Sequence, residues 1–400
     1  MLPLFAPILA QALTLGAADR TELRGREFDG ELDFDAQTSP SVTLALTTPR
    51  TSYSLTYAPT ITLFSFQDPD AELVVFHNLT AAANLRFRRT TLSLMQSAGY
   101  GRRNLRLDAL TLSAPEAPAE SPDPTTPPPD PSVTQTRAVD QVVRIGSSNT
   151  SLGLSHVLSR RWGLSEFVGY SVSGGLNNVS RAAYPLQRQG YGGVGLGYAL
   201  TRNDGLSTRL DGRYSVTEPD EKAVIVSLEE VWSHRFSTTW TGSVGAGLAW
   251  TRFEDDDLPG GDTQLLPAGS AGMDYSVARE LDRFGLTFNV SVSPVVDRTT
   301  GGVDQRVLWS AAVSRTLGFW TLVGSTSGTR SLGGNSEVSL TSYGASVGAI
   351  YQIAPELSVD TGLSVVWQDF EIDGVLDDQG FEPIWAGFVG LTLSPRPLDL

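Results

Sequence analysis

Residues 239–253 read Thr-Trp-Thr-Gly-Ser-Val-Gly-Ala-Gly-Leu-Ala-Trp-Thr-Arg-Phe, and they alternate between apolar and polar or small side chains. Trp240, Val244, Leu248 and Trp250 share one parity, and a period of two places them on one face of a β-strand. The two tryptophans are about 33 Å apart along a strand, or about 25 Å after a tilt of about 40°. That is the height of the apolar band of an outer-membrane barrel, so the stretch predicts one strand of a transmembrane β-barrel.

Similar alternation recurs along the whole chain and predicts an all-β fold, an antiparallel up-and-down transmembrane β-barrel of about 18–20 strands. The count depends on whether residues 31–36 pair. A soluble β-sandwich is the alternative, since it would bury the apolar face against a second sheet. The long strands, and the aromatic residues at the ends of their apolar faces, favour the barrel.

Short and long connections alternate along the chain, and outer-membrane barrels have short periplasmic turns and long external loops. Short turns are predicted at residues 49–50, 88–89, 160–162, 202–205, 237–238, 281–283, 317–318 and 354–356. Longer polar connections fall between most of them, for example at residues 175–186, 254–263 and 371–380. This alternation predicts that the C-terminus lies in the periplasm.

In several strands, the face that carries the charged residues must face the lumen, because an arginine that faces the bilayer midplane destabilises the barrel by about 2–4 kcal/mol. The predicted lumen-lining residues are Arg86, Arg88, Arg106, Asp108, Arg209, Asp211 and Arg213. They are compatible with a polar conduit and equally with a salt-bridged lumen that conducts nothing. The predicted aromatic belt at the two membrane interfaces comprises Trp240, Trp250, Tyr343, Tyr351, Trp367 and Trp385.

Two segments are expected outside the barrel wall. Residues 1–18 are apolar and end in small residues, which predicts a signal peptide, although a positive first segment is lacking; the barrel is then expected over residues 19–400. Residues 114–132 are rich in proline and acid and predict an extended linker that cannot join a sheet, placed by strand parity on the periplasmic side. An alternative division makes residues 19–113 a separate β-domain.

Composition narrows the function classes. The net charge is −15, with acidic runs in predicted loops, which disfavours nucleic-acid binding. His77, His156 and His234 have no acid or nucleophile at a spacing typical of a catalytic triad or a metal site, so no enzyme, cofactor or metal is expected. The glycine-rich residues 190–197 lack the helix and Lys-Ser/Thr of a phosphate loop and read as strand.

Residues 48–59, Thr-Pro-Arg-Thr-Ser-Tyr-Ser-Leu-Thr-Tyr-Ala-Pro, and residues 91–101, Thr-Leu-Ser-Leu-Met-Gln-Ser-Ala-Gly-Tyr-Gly, resemble outer-membrane β-barrel proteins of the porin type. Some barrels of that type accompany bacterial polysaccharide-export systems. The resemblance covers about the first third of the chain. It implies outer-membrane lipid, a periplasmic export protein and a polar solute or polysaccharide as partners. The last ten residues depart from the type, which usually ends on an aromatic residue.

Two functions follow as hypotheses. In the first, the barrel is a pore or export channel for polar solutes or polysaccharide in the outer membrane of a Gram-negative bacterium, since 18 strands leave room for an aqueous lumen. In the second, it is a structural or assembly barrel with a plugged lumen, which binds partners through its loops or the proline-rich segment.

Overall fold

A computed structural model describes residues 12–28, 31–65, 72–104, 142–218, 221–254, 261–279, 282–297, 301–334, 338–372, 375–376 and 383–399. Nearly all of them are strand. The strands are β1 (Ala12–Phe28), β2 (Glu31–Thr38), β3 (Ser41–Thr47), β4 (Thr51–Tyr57), β5 (Thr60–Phe64), β6 (Glu72–Arg86), β7 (Thr90–Asn104), β8 (Val142–Val157), β9 (Trp162–Gly175), β10 (Gln187–Ala199), β11 (Asp204–Thr217), β12 (Glu221–Arg235), β13 (Trp240–Glu254), β14 (Asp262–Ala278), β15 (Asp282–Val296), β16 (Val303–Leu317), β17 (Trp320–Gly334), β18 (Val338–Ala354), β19 (Leu357–Ile372), β20 (Val375–Leu376), β21 (Ile384–Leu393) and β22 (Leu398–Asp399).

These strands form one closed antiparallel barrel. Each long strand pairs with its sequence neighbours, and β1 pairs with β21 to close the sheet. β2 and β3 together form one barrel strand, and so do β4 and β5. β20 and β22 have two residues each and are not counted as strands of the wall. The wall therefore contains 18 strands, which confirms the predicted fold and the lower predicted count.

Two prolines interrupt the second and third barrel strands at the same height. Val42 pairs with Tyr57 and Thr38 with Ile61, so the common register places Pro40 opposite Pro59. A proline cannot donate a ladder hydrogen bond, and two of them face to face open the ladder locally. The register is the same on both sides of the gap, so the interruption does not shift the pairing of the two strands.

Side-chain exposure separates the outer face of the barrel from the lumen. On β13, Val244, Leu248 and Trp250 are 51%, 54% and 40% exposed, whereas Ala249 and Thr251 on the other parity are buried. Exposed apolar side chains continue at every second position around the wall. This arrangement suits a barrel whose outer face meets lipid.

Connections of two kinds define the two ends of the barrel, here called the turn end and the loop end. The turn end carries tight turns such as residues 48–50 and 87–89, closed by backbone hydrogen bonds from Thr48 to Thr51 and from Phe87 to Thr90, each 2.7 Å long. The two-residue turn at 318–319 has Gly318 at φ +58°, as a tight hairpin requires. The longer connections and α1 (Asn178–Ala183) lie at the loop end.

The connection that contains residues 114–132 starts and finishes at the loop end. Those residues lie outside the described part of the chain, but Asn104 at the end of β7 pairs directly with Val142 at the start of β8. The described strands thus place both ends of this connection on the side of the long loops, and not on the side of the short turns where strand parity predicted it.

The wall begins before the predicted residue 19. Ala12–Ala18 belong to β1 and pair with Ser41–Thr47 of β3. Cleavage after Ala12 would keep this ladder, and cleavage after Ala18 would remove it, while the signal peptide itself stays a prediction. No helix in the described residues has the length and apolarity needed to cross a bilayer.

Candidate functional site in the lumen

The lumen is the candidate site, and β11 supplies its most strongly charged wall. Leu210 and Tyr214 are 50% and 48% exposed on the outer face, so the opposite parity turns Arg209, Asp211 and Arg213 inward. Arg209 Nε donates a 2.8 Å hydrogen bond to Asp211. The Arg209 guanidinium also lies 5.1 Å from the ring centre of Phe167 on β9, where a cation–π contact holds it against the wall.

A cavity of about 350 Å³ lies beside this wall. Phe167, Tyr191 and the three charged residues of β11 line one side of it, and Ser291, Ser293 and Leu308 line the other. Two aromatic rings beside several hydrogen-bonding groups are typical of a site for a polar ligand with apolar faces.

Glycines allow the large side chains of this cavity to lie flat on the wall. The Tyr191 ring covers Gly169, where an added Cβ would lie 2.2 Å from the ring. Tyr191 then reaches Asn149 on β8 and donates a 2.8 Å hydrogen bond to it. Gly169 is therefore required by close packing, and residues 190–197 are strand as their pattern predicted.

The charges that surround the cavity are balanced. Arg209 on β11 pairs in register with Glu229 on β12, whose carboxylate accepts a 2.5 Å hydrogen bond from Ser270. Two arginines, Arg209 and Arg213, and two carboxylates, Asp211 and Glu229, therefore line the cavity. The middle of the lumen is a mixed-charge surface, and it is less basic than the predicted set of residues suggests.

At the loop end, the described residues on either side of the β15–β16 connection, 294–297 and 301–306, are folded into the lumen and are here called the β15–β16 tip. Residues 294–297 and 301–306 are all buried, although they surround a hairpin connection. Val296 and Val303 pack with Ala223, Ile225 and Phe253 of β12 and β13, which β14 separates from β15 along the wall. Strands that are not neighbours in the wall can meet only across the interior, so this tip narrows the lumen.

Buried ion pairs hold the tip in place. Arg306, 1% exposed, donates to Asp304 at 2.7 Å and to Asp297 at 2.8 Å, and Ser331 of β17 donates to Asp304 at 2.6 Å. Buried charges are tolerated only when such partners are present. The in-turned tip is therefore a built part of the lumen.

A second buried charge network lies where the barrel closes. The lumen side of β1 carries Arg20, Glu22, Arg24 and Arg26 at every second position. Arg26 binds Asp35 at 2.6 Å, and both side chains are at least 96% buried. Arg20 binds Asp360 of β19 at 2.6 Å, so the network ties the first strand to the last ones. The alternating charges were visible in the sequence, but they follow the predicted signal peptide and were not assigned to a strand.

Apolar clusters fill more of the loop end. Phe64 and Val74 pack with Val366, Ile384 and Ala386, although β1 and β2 separate β5 from β21 along the wall. Phe76, Val143 and Ile145 form another cluster, covered by Ala183 and Tyr184 at the end of α1. The described interior is therefore packed at the loop end.

The predicted lumen residues occupy different places. Arg209, Asp211 and Arg213 come together at the cavity. Arg86 is the last residue of β6 at the turn end, far from them, and Arg88 lies in the following turn instead of a strand. Arg106 and Asp108 lie outside the described residues.

The predicted belt residues lie on the outer parity near the strand ends. Trp240 and Tyr351 are near the turn end, where they contact Tyr275 and Trp320 with ring centres 4.5 and 4.6 Å apart. The other four are nearer the loop end, where Tyr343 contacts Trp309 and Trp367 contacts Trp385. These four are Trp250, Tyr343, Trp367 and Trp385.

The histidines face away from the lumen. His77, His156 and His234 each lie on the outer parity, with Tyr57, Thr90 and Asp204 as hydrogen-bond partners at 2.6–2.7 Å. Within the described ranges, no group of three His, Cys, Asp or Glu side chains could hold a metal ion.

The model of one protein family matches residues 10–373, nearly the whole barrel, and the family is described as the EpsX exopolysaccharide export family. The chain belongs to this family. Its closed 18-stranded wall and apolar outer face make this EpsX-family chain an outer-membrane barrel. The resemblance to porin-type barrels of export systems, inferred from residues 48–59 and 91–101, is thereby confirmed.

Two solved structures align with nearly the whole chain. The FrpB iron transporter from Neisseria meningitidis is 9% identical with a TM-score of 0.49, and the alignment covers 96% of this chain and 82% of that one. OccK2 (OpdF) from Pseudomonas aeruginosa is 12% identical with a TM-score of 0.47, over 98% and 100% of the two chains. No curated protein matches the sequence.

Proposed function

We propose that the chain provides an outer-membrane passage for exopolysaccharide through the barrel lumen. Membership of an exopolysaccharide export family supports this class of transport. The observation that carries the proposal is the cavity, where Phe167 and Tyr191 lie beside Asp211 and Arg209. Aromatic faces can cover the apolar faces of sugar rings, while carboxylate and guanidinium groups hydrogen-bond to hydroxyls.

The in-turned β15–β16 tip sets the width of this passage. A polymer that enters at the turn end meets the cavity first and the packed loop end afterwards. Passage to the outside then requires the tip to leave its position, which means separating Arg306 from Asp297 and Asp304. A periplasmic export protein that supplies the polymer at the turn end is part of the proposal.

Current recordings in planar bilayers test the sugar site. Oligosaccharide added on the turn-end side should interrupt the current of the wild-type channel. Tyr191→Ala should shorten these interruptions by about threefold to tenfold, because an aromatic contact is worth roughly 0.5–1.5 kcal/mol. Tyr198→Ala is the matched control, since Tyr198 lies on the outer face of the same strand against Trp162. Equal effects of the two variants would exclude the cavity as the sugar site.

A second function, a structural barrel with a plugged lumen, is favoured by one observation: three apolar clusters and two ion networks are buried at the loop end. This function predicts a folded wild-type barrel that never conducts. Stable current steps from wild-type protein would eliminate it, and a barrel that stays silent even in Arg306→Met, which releases the tip, would eliminate the passage.

A further inference from the structure

Arginines are concentrated at the turn end of the barrel. In the described turns, the C-terminal segment after β21 and the three strand residues nearest to them, there are 12 arginines but only four carboxylates. This set, here called the arginine rim, comprises Arg50, Arg86, Arg88, Arg89, Arg160, Arg161, Arg202, Arg235, Arg279, Arg283, Arg315 and Arg396. All 12 are exposed, in a chain whose net charge is −15.

Three of these four carboxylates already have partners. Asp282 binds Arg315 at 3.2 Å, Glu356 binds Arg396 at 2.9 Å, and Asp204 binds His234 at 2.6 Å. Arg315 and Arg396 thus bind two of the carboxylates, which leaves ten rim arginines and one further carboxylate of this region, Asp399. The turn end carries a large positive potential.

Part of the rim lines the opening of the lumen. Arg86, Arg235 and Arg283 end β6 and β12 and begin β15, and each lies on the inward parity of its strand. These three strands are spread around the wall, so the opening is basic on several sides. Further into the lumen, the Arg209 guanidinium lies above the ring of Phe167 in the cavity.

We infer that the polymer that enters this lumen is anionic, with carboxylate, phosphate or sulfate groups on its sugars. This inference rests on the proposed passage and names its substrate class. Guanidinium groups bind such oxyanions in bidentate geometry, and a cleft lined by one sign of charge raises the association rate of the opposite charge by about 10–10³-fold. The inward position of Arg86, Arg235 and Arg283 favours a polymer over the acidic face of a docked protein, which would need only the turns.

Blockade of the current by matched sugars tests the inference. Oligogalacturonate and its fully methyl-esterified form have the same backbone, and only the first is charged. At low salt, the wild-type channel should bind oligogalacturonate from the turn-end side at least tenfold faster than the ester, and the difference should shrink at high salt. Equal rates for the two sugars would overturn the inference, while blockade by both would still support the passage.

Variants locate the effect. Arg86→Gln, Arg235→Gln and Arg283→Gln together should remove most of the preference for the charged sugar. Arg50→Gln, Arg89→Gln and Arg202→Gln remove the same charge from the turns and are the matched control. If both triple variants lose the preference equally, the rim acts through its overall charge, as a surface for anionic lipid or protein, and the assignment to the lumen opening is wrong. Failure of every sugar to block would count against the proposed passage instead.

Discussion

The two ends of the lumen differ in whether their charged side chains are buried and paired or exposed. At the loop end, Arg26, Asp35, Arg306 and Asp304 are at most 4% exposed and bind one another in pairs. At the turn end, the arginine rim is exposed and carboxylates are few. Alternation decides only which side of the wall a residue faces. Whether the interior is packed or open depends on what reaches across it.

Substitutions at the two ends can measure this difference in packing, and the first is in the β15–β16 tip. Arg306→Met should give the largest effect, because removing one partner of a buried ion pair costs about 3–5 kcal/mol. The tip is then expected to leave the lumen, and single-channel conductance should rise. Arg315→Met on the same strand is the control, since its ion pair with Asp282 is exposed. An unchanged conductance in Arg306→Met would show that the tip is not the constriction.

Substitutions in the charge network where β1 closes the barrel, here called the seam, should lower the stability of the barrel and leave its conductance unchanged. Arg26→Met leaves Asp35 buried without its partner, with a similar cost of about 3–5 kcal/mol. The temperature at which the barrel loses its compact mobility in SDS gels should fall. Arg20→Met, at a side chain that is 46% exposed, should cost about 0–1 kcal/mol. Equal falls for both variants would contradict the difference in burial.

In the middle of the lumen, Arg209→Glu together with Arg213→Glu should shift ion selectivity toward cations. The wall between the packed end and the basic end would then carry four carboxylates in place of a balanced set. Reversal potentials in a salt gradient measure this shift. Selectivity equal to that of the wild type would mean that ions bypass the cavity.

Arg86→Met at the turn end should have the smallest effect on stability, within about 0.5 kcal/mol, because its side chain is exposed. Heat-dependent gel mobility should match that of the wild type. A fall as large as that of Arg26→Met would show that the turn end is also packed.

Most of the wall could be predicted from sequence, since period-two alternation with aromatic residues at the ends is a local signal. The packed loop end could not be derived from that rule, yet its signal is present. Residues 73–76 (Leu-Val-Val-Phe), 223–226 (Ala-Val-Ile-Val) and 365–366 (Val-Val) break the alternation with continuous apolar runs. Such runs indicate strands that are covered on both faces.

The lumen residues were predicted where a strand was regular and missed where it was not assigned. Arg209, Asp211 and Arg213 lie on one uninterrupted strand, so their common face followed from spacing alone. The partners that balance them, and the contact of the tip with distant strands, depend on the curvature of the whole wall. No local pattern contains that information.

The ion pair between Arg20 and Asp360 joins residues 340 positions apart, and it lies beside the strands that close the barrel. Until β21 pairs with β1, the sheet has an unpaired edge at each end. A chain shortened before β19 would lack both Asp360 and the β21 partner of β1, and Arg20 would keep only its contact with Glu22 on its own strand, 3.1 Å away. A displaced register would separate Arg20 from Asp360. The seam thus makes the final step of assembly sensitive to whether the chain is complete and correctly aligned.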